Sequence, residues 1–275
     1  MIKIRGEEIK PTVFPDGTKL IKMPRIIHCN EDIKWFYDSD DELMTIICLA
    51  KQLKNQNIDI SLTMPYIPNA RLDRIKDETK EVFTLKWFAQ IINDLGFYDV
   101  EVLDPHSHVS EALFDRLTVQ SPEKIIKSFI DENFLEAISL NKFSLFFPDE
   151  GAMKRYSGMF KMPYTFGLKK RDWETGEIRG LDIVGDETFI KGRKVLIVDD
   201  ICSRGGTFYH SAKKLKELGA EEVYLYVTHC ENTILEGDLL TSGLIDKVFT
   251  TNSIFTKEHE KIEIYELRGD TKWIQ

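Results

Sequence analysis

The chain has 275 residues, 42% of them hydrophobic and 30% charged, with a formal net charge of −9. That is enough apolar material for one large or two medium cores, and the acidic balance argues against nucleic acid as a main partner. No apolar run reaches membrane-spanning length and the opening segment MIKIRGEEIK has no signal-peptide core, so neither a membrane nor a secretory route is expected. Cys29, Cys48, Cys202 and Cys230 show no CxxC spacing and read as reduced thiols of a cytoplasmic protein, not as zinc ligands.

Taken in chain order, periodicity predicts a helix over 42–54, a strand over 60–64, a helix over 84–95 closed by Gly96 and a strand over 100–103. A helix over 122–138 follows, with Ser121 as its cap and Pro122 at its first position. Strands are predicted at 143–147, 195–198 and 223–227, and a helix at 209–218 closed by Gly219. Alternating β and α elements imply parallel sheets covered by helices on both faces. The pattern runs twice, over about 1–120 and 140–275, so two α/β domains are expected, 1–125 and 126–275.

Residues 194–208, KVLIVDDICSRGGTF, carry the clearest chemistry. A β-branched apolar run reads as a buried parallel strand. Asp199 and Asp200 follow it, then Ser203, Arg204, Gly205, Gly206 and Thr207, then a helical pattern. Glycines let backbone N–H groups crowd around an anion, and a helix N-terminus adds roughly half a positive charge. Two carboxylates can accept hydrogen bonds from paired sugar hydroxyls or hold Mg²⁺. Donors at one end and acids at the other fit a ribose 5-phosphate.

This loop resembles the signature of type I phosphoribosyltransferases and phosphoribosyl-pyrophosphate (PRPP) synthetases. Other segments narrow the resemblance to the synthetases. Residues 64–74, MPYIPNARLDR, resemble their PY-x-x-YARQDR, and Asp104-Pro105-His106 their DLH metal signature, with Phe114-Asp115 after it. The FPDGT of 14–18 resembles FxDGE, Pro148-Asp149-Glu150-Gly151 resembles SPDxGG with Lys154-Arg155 following, and LKKR of 168–171 resembles the catalytic K-x-R. Thr228-His229 and TTNSI of 250–254 complete a match that spans nearly the whole chain in order.

The resemblance implies two type I phosphoribosyltransferase-like domains, each a mainly parallel sheet flanked by helices. It implies transfer of the β,γ-diphosphate of ATP to the C1 hydroxyl of ribose 5-phosphate, with Mg²⁺, in a cytoplasmic homo-oligomer. By the same match, Phe14, Asp16, Arg71, Asp73 and His106 would bind ATP, and Lys169 and Arg171 would be catalytic. Asp104, His106 and Asp149 would serve the metal, and Asp199, Asp200 and residues 203–207 the ribose phosphate. His108 and His229 read as surface and structural residues.

The pattern departs from the family at several places. Its DTGGT becomes Ser203-Arg204-Gly205-Gly206-Thr207, losing an acid and gaining a guanidinium. Leu72 stands for a Gln, Thr18 for a Glu, and Pro105 for the Leu of DLH. A fork of donors at Arg204 suits a larger anion such as a pyrophosphate. This keeps ADP-ribose open as the acceptor, as in a phage branch of the family that serves NAD⁺ resynthesis. A phosphoribosyltransferase and an inactive regulatory homologue are the remaining alternatives.

Overall fold

The computed structural model describes residues 1–26, 28–75, 80–171 and 178–267, with the side chains of 169–171, 178 and 179 outside that description. Contacts divide these residues into two units, Met1–Ser121 and Pro122–Leu267. Among the described residues no helix is long and apolar enough to cross a membrane.

The first unit opens with short strands, β1 (Ile2–Ile4), β2 (Glu7–Ile9), β3 (Thr12–Val13) and β4 (Lys19–Leu20), and then β5 (Asn30–Trp35). It continues as α1 (Asp41–Asn55), β6 (Asp59–Thr63), α2 (Thr84–Leu95), β7 (Val100–Leu103), α3 (His108–Leu113) and β8 (Leu117–Gln120). One sheet runs in the order β2-β1-β5-β6-β7-β8. Pairing is parallel from β5 to β8 and antiparallel at β1, which meets both β2 and β5. α2 forms because Leu85, Phe88, Ala89, Ile92 and Leu95 recur at helical spacing and are all buried.

The second unit contains α4 (Glu123–Asn133), α5 (Leu135–Ser139), β9 (Phe143–Phe147), α6 (Glu150–Tyr156), β10 (Tyr164–Arg171) and β11 (Ile178–Val184). β12 (Lys194–Cys202), α7 (Gly206–Glu217), β13 (Glu222–Cys230), β14 (Lys247–Thr251) and β15 (Ile262–Tyr265) follow. Its sheet runs β11-β10-β9-β12-β13-β14-β15 and is parallel except for the β10–β11 hairpin at one edge. All five residues of β9 and Val195, Leu196, Ile197 and Val198 of β12 are buried. Central parallel strands covered on both faces need such unbroken apolar runs.

Three expectations need correcting. The single helix over 122–138 is two, because Phe134 leaves helical geometry at φ −129° and ψ 4°. Its ring packs 4.8 Å from Phe143 and 4.7 Å from Tyr224, an aromatic cluster that offsets the broken turn. The cap of α4 is Pro122, without a side-chain bond, not Ser121. Asp199 and Asp200 do not follow the strand but lie inside β12, because β13 runs on beside it and pairs Ile201 with His229 and Cys202 with Cys230. Lys169 and Arg171 sit in β10, paired with Leu181 and Ile178. Residues 172–177 lie outside the described residues.

Candidate active site

In the second unit, β12 delivers Asp199 half-buried and Asp200 at 4% exposure. Burial, the neighbouring Asp200 and the more distant Asp149 push the Asp199 carboxyl well above the usual carboxylate range. Asp200 is anchored differently. Arg155 of α6 sets Nη1 3.3 Å from its Oδ2, and both side chains are largely buried. Asp149 caps α6 by accepting from the Ala152 amide at 3.1 Å. So one acid is paired, one is crowded by like charge, and a third stands within electrostatic reach.

Beyond β12 the chain turns at Gly205, whose φ is +82°, and enters α7 at Gly206. A Cβ on Gly205 would also stand 2.9 Å from Leu239, so only glycine fits. Gly206 and Thr207 are exposed at the amino end of α7, where backbone N–H groups have no helical partner. Ser203 donates to Glu231 Oε2 at 2.8 Å. Arg204 donates to Glu236 Oε2 at 3.1 Å, both side chains being exposed. The guanidinium that distinguishes this loop therefore already faces a carboxylate.

The first unit gathers a second group. Asp73 is buried, which alone would raise its carboxyl, but the Arg74 hydrogen bond at 2.9 Å and the charges of Arg74 and His106 hold it below the ordinary range. Asp104, 3% exposed, follows β7 with φ +43°, directly before Pro105. A non-glycine residue in that region is strained, and such strain concentrates at functional sites. Arg71 is exposed on the turn that follows Asn69. Phe14 and Asp16 lie in the β3–β4 hairpin turn: Phe14 is 48% exposed, and Asp16 accepts from the Thr18 hydroxyl at 2.7 Å and amide at 3.0 Å. Those two bonds lower the Asp16 carboxyl. His108 is exposed and paired with Glu111, and buried His229 meets Ser253 Oγ at 2.8 Å.

Among the described residues no three His, Cys, Asp or Glu side chains are grouped to hold a metal by themselves. A carboxylate crowded by burial and like charges, such as Asp199, nevertheless suits a hard divalent ion that takes its other ligands from phosphate and water. A groove of about 620 Å³ in the first unit, lined by Ile21, Met23, Cys48, Leu49 and Gln52 among others, includes none of the residues assigned to chemistry.

Residues 172–269 match the family model described as "Phosphoribosyl synthetase-associated domain". A ribose-phosphate pyrophosphokinase of Thermococcus kodakarensis is 28% identical over 262 residues, covering 92% of this chain and 88% of that protein. One from Pyrococcus furiosus is 29% identical over 265 residues, with the same coverage of 92% and 88%. The crystal structure of phosphoribosylpyrophosphate synthetase from Mycobacterium smegmatis superposes with a TM-score of 0.77 at 20% identity, covering 95% of this chain and 86% of that one. The sequence matches support the PRPP synthetase family, and the superposition shows the same fold.

The residues that escape sequence reasoning are those that contact the loop and the acidic pair from other segments. Arg155 is legible only as a basic residue after Asp149, and Glu231, Glu236 and Gly237 carry no motif. Glu231 lies 28 residues from the Ser203 it holds, and only the pairing of β12 with β13 brings them together. A weak signal exists in the acids that flank the short turn Asn232–Glu236 just beyond Thr228-His229.

Proposed function

We propose that the chain transfers the β,γ-diphosphate of ATP to ribose 5-phosphate, giving PRPP and AMP. The acceptor's C1 hydroxyl oxygen bonds to the β-phosphorus, the bond from that phosphorus to the α-phosphate oxygen breaks, AMP leaves with the electron pair, and the hydroxyl proton is released. The observation that carries this reading is the Asp199–Asp200 pair, set ahead of a glycine turn at the amino end of α7. Asp199 and Asp200 would accept from the ribose hydroxyls, while the amides of residues 205–207 and the Ser203 hydroxyl would receive the 5-phosphate.

The first unit would take the nucleotide, with Arg71, Asp73 and His106 at its phosphates and Phe14 and Asp16 at its base and sugar. Lys169 and Arg171 would face the charge that builds on the phosphoryl oxygens, in a reaction whose catalysis is mostly positioning and electrostatics. Mg²⁺ would be held by Asp104 and His106 on the nucleotide and by Asp149 near the acidic pair, and when bound it neutralises phosphate charge. Free thiols at all four cysteines fit a cytoplasmic setting, and a homo-oligomer is the assembly this reading carries.

ADP-ribose is the second reading, favoured by Arg204. Against it, Glu236 offsets that guanidinium, so the loop offers little surplus charge for a second phosphate. A competition between ribose 5-phosphate and ADP-ribose at equal concentration, with ATP and Mg²⁺ and products resolved by mass, decides the acceptor. Preference for ribose 5-phosphate is expected, and dominant ADP-ribose 1-pyrophosphate would replace it.

A further inference from the structure

The loop of residues 203–207 is held from below by a segment that belongs to no motif. The Glu231 amide donates to the Cys202 carbonyl at 2.8 Å, fixing the start of that segment to the end of β12. The Glu231 carboxylate accepts from the Ser203 hydroxyl at 2.8 Å and from the Thr233 hydroxyl at 3.1 Å. Glu236 meets Arg204. Gly237 closes the segment in extended backbone that any residue adopts, at φ −94° and ψ 169°. Its reason to be glycine is room: a Cβ there would lie 2.0 Å from the Arg204 carbonyl oxygen and 2.9 Å from its carbon. Backbone cannot yield as a side-chain tip can, so a methyl group at 237 must move the loop.

We propose that residues 231–237 are a brace for the anion-receiving loop, with Glu231 positioning Ser203, Gly237 seating the Arg204 backbone, and Glu236 limiting the charge Arg204 offers the acceptor. This rests on the reading of that loop as the acceptor-phosphate site. Each contact has a separate consequence. Without Glu231, the Ser203 hydroxyl loses the carboxylate acceptor that sets its direction. A displaced Arg204 carbonyl turns the following amides away from the anion. An exposed ion pair is cheap to break, so Glu236 acts as a weak competitor for Arg204 and not as a lock.

The test compares the wild-type chain with Glu231→Ala, Glu231→Gln, Gly237→Ala and Glu236→Gln. Acceptor and ATP kinetics are measured for each, and ribose 5-phosphate binding is measured by calorimetry without turnover. Glu231→Ala and Gly237→Ala should raise the acceptor KM about ten-fold, with the KM for ATP and kcat within about two-fold, the size of one lost hydrogen bond to a charged group. Glu231→Gln, which keeps an oxygen acceptor, should restore most of that loss. Glu236→Gln should bind ribose 5-phosphate about three-fold more tightly. A folded Glu231→Ala variant with unchanged acceptor KM and affinity overturns the brace, even where Gly237→Ala does not fold. Variants that lose calorimetric binding in a chain that releases no AMP would remove the diphosphotransfer reading and keep the brace. A wild-type chain that binds no ribose 5-phosphate would remove both.

Discussion

Arg155 Nη1 lies 3.3 Å from Asp200 Oδ2, joining the helix that follows β9 to the acidic end of β12. This pair divides the labour of the two adjacent acids. Asp200 faces a cation within the protein, whereas at Asp199 burial and like charge outweigh the hydrogen bond it accepts from the Asp200 amide at 3.0 Å. The strand thereby presents one settled carboxylate and one that gains from an incoming cation or hydroxyl donor.

Arg155→Ala should destabilise the second unit by about 2–4 kcal/mol, because it removes the cation held 3.3 Å from the buried Asp200 carboxylate. Urea unfolding measures the loss. Adding Asp200→Asn to that variant should recover part of the stability, since a neutral amide costs less to bury than a charge that has lost its cation. Equal stability of wild type and Arg155→Ala would show that the pair carries no weight.

Asp199→Asn should make the chain more stable at neutral pH while abolishing turnover. The sign follows from linkage: a carboxyl whose folded-state value is raised binds its proton more tightly in the native chain than in the unfolded one. Ionising it at neutral pH therefore costs the native state, and that cost fades as pH falls through the raised value. Thermal unfolding of both proteins from pH 7.5 downward should show the advantage of Asp199→Asn shrinking with pH. An advantage constant with pH, or none, would contradict the assignment.

Gly205→Ala should cost about 2 kcal/mol or more, since a side chain there is strained at φ +82° and also meets Leu239. The same variant should weaken ribose 5-phosphate binding, because residues 205–207 would supply the amides that receive its phosphate. Calorimetry and urea unfolding on one preparation separate the two effects.

Lys169→Ala should lower kcat by about 100-fold or more, as removal of one transition-state charge donor does elsewhere. Its unfolding midpoint should match wild type. Activity within a few-fold of wild type would show that the K-x-R resemblance at Leu168-Lys169-Lys170-Arg171 misplaces the catalytic cation.

Much of this architecture is legible in the sequence where the signal is local. VLIV in β12 and FSLFF in β9 are unbroken apolar runs, and α2 is strongly periodic, so all three are legible, and the bounds of β9 and α2 follow from pattern alone, whereas β12 runs on to Cys202. The short strands β1 to β4 span two or three residues each, too few for periodicity to register. β8 is partly exposed, with Val119 40% accessible at the sheet edge, so it lacks a buried-strand signature. The split of α4 from α5 depends on Phe143 and Tyr224 receiving Phe134, which helical spacing does not reveal. At the site, residues 199–207 are contiguous and therefore readable as chemistry. The Arg155–Asp200 and Ser203–Glu231 contacts join separate segments through sheet packing, and the departure at Arg204 takes its meaning only from Glu236.

The most direct measurement is ³¹P NMR of the chain with ATP, ribose 5-phosphate and Mg²⁺. The account predicts AMP appearing in step with a diphosphate attached at C1 of the sugar, with no free ADP or orthophosphate. ADP or orthophosphate as the nucleotide-derived product, or ATP left intact beside ribose 5-phosphate and ADP-ribose alike, would contradict it.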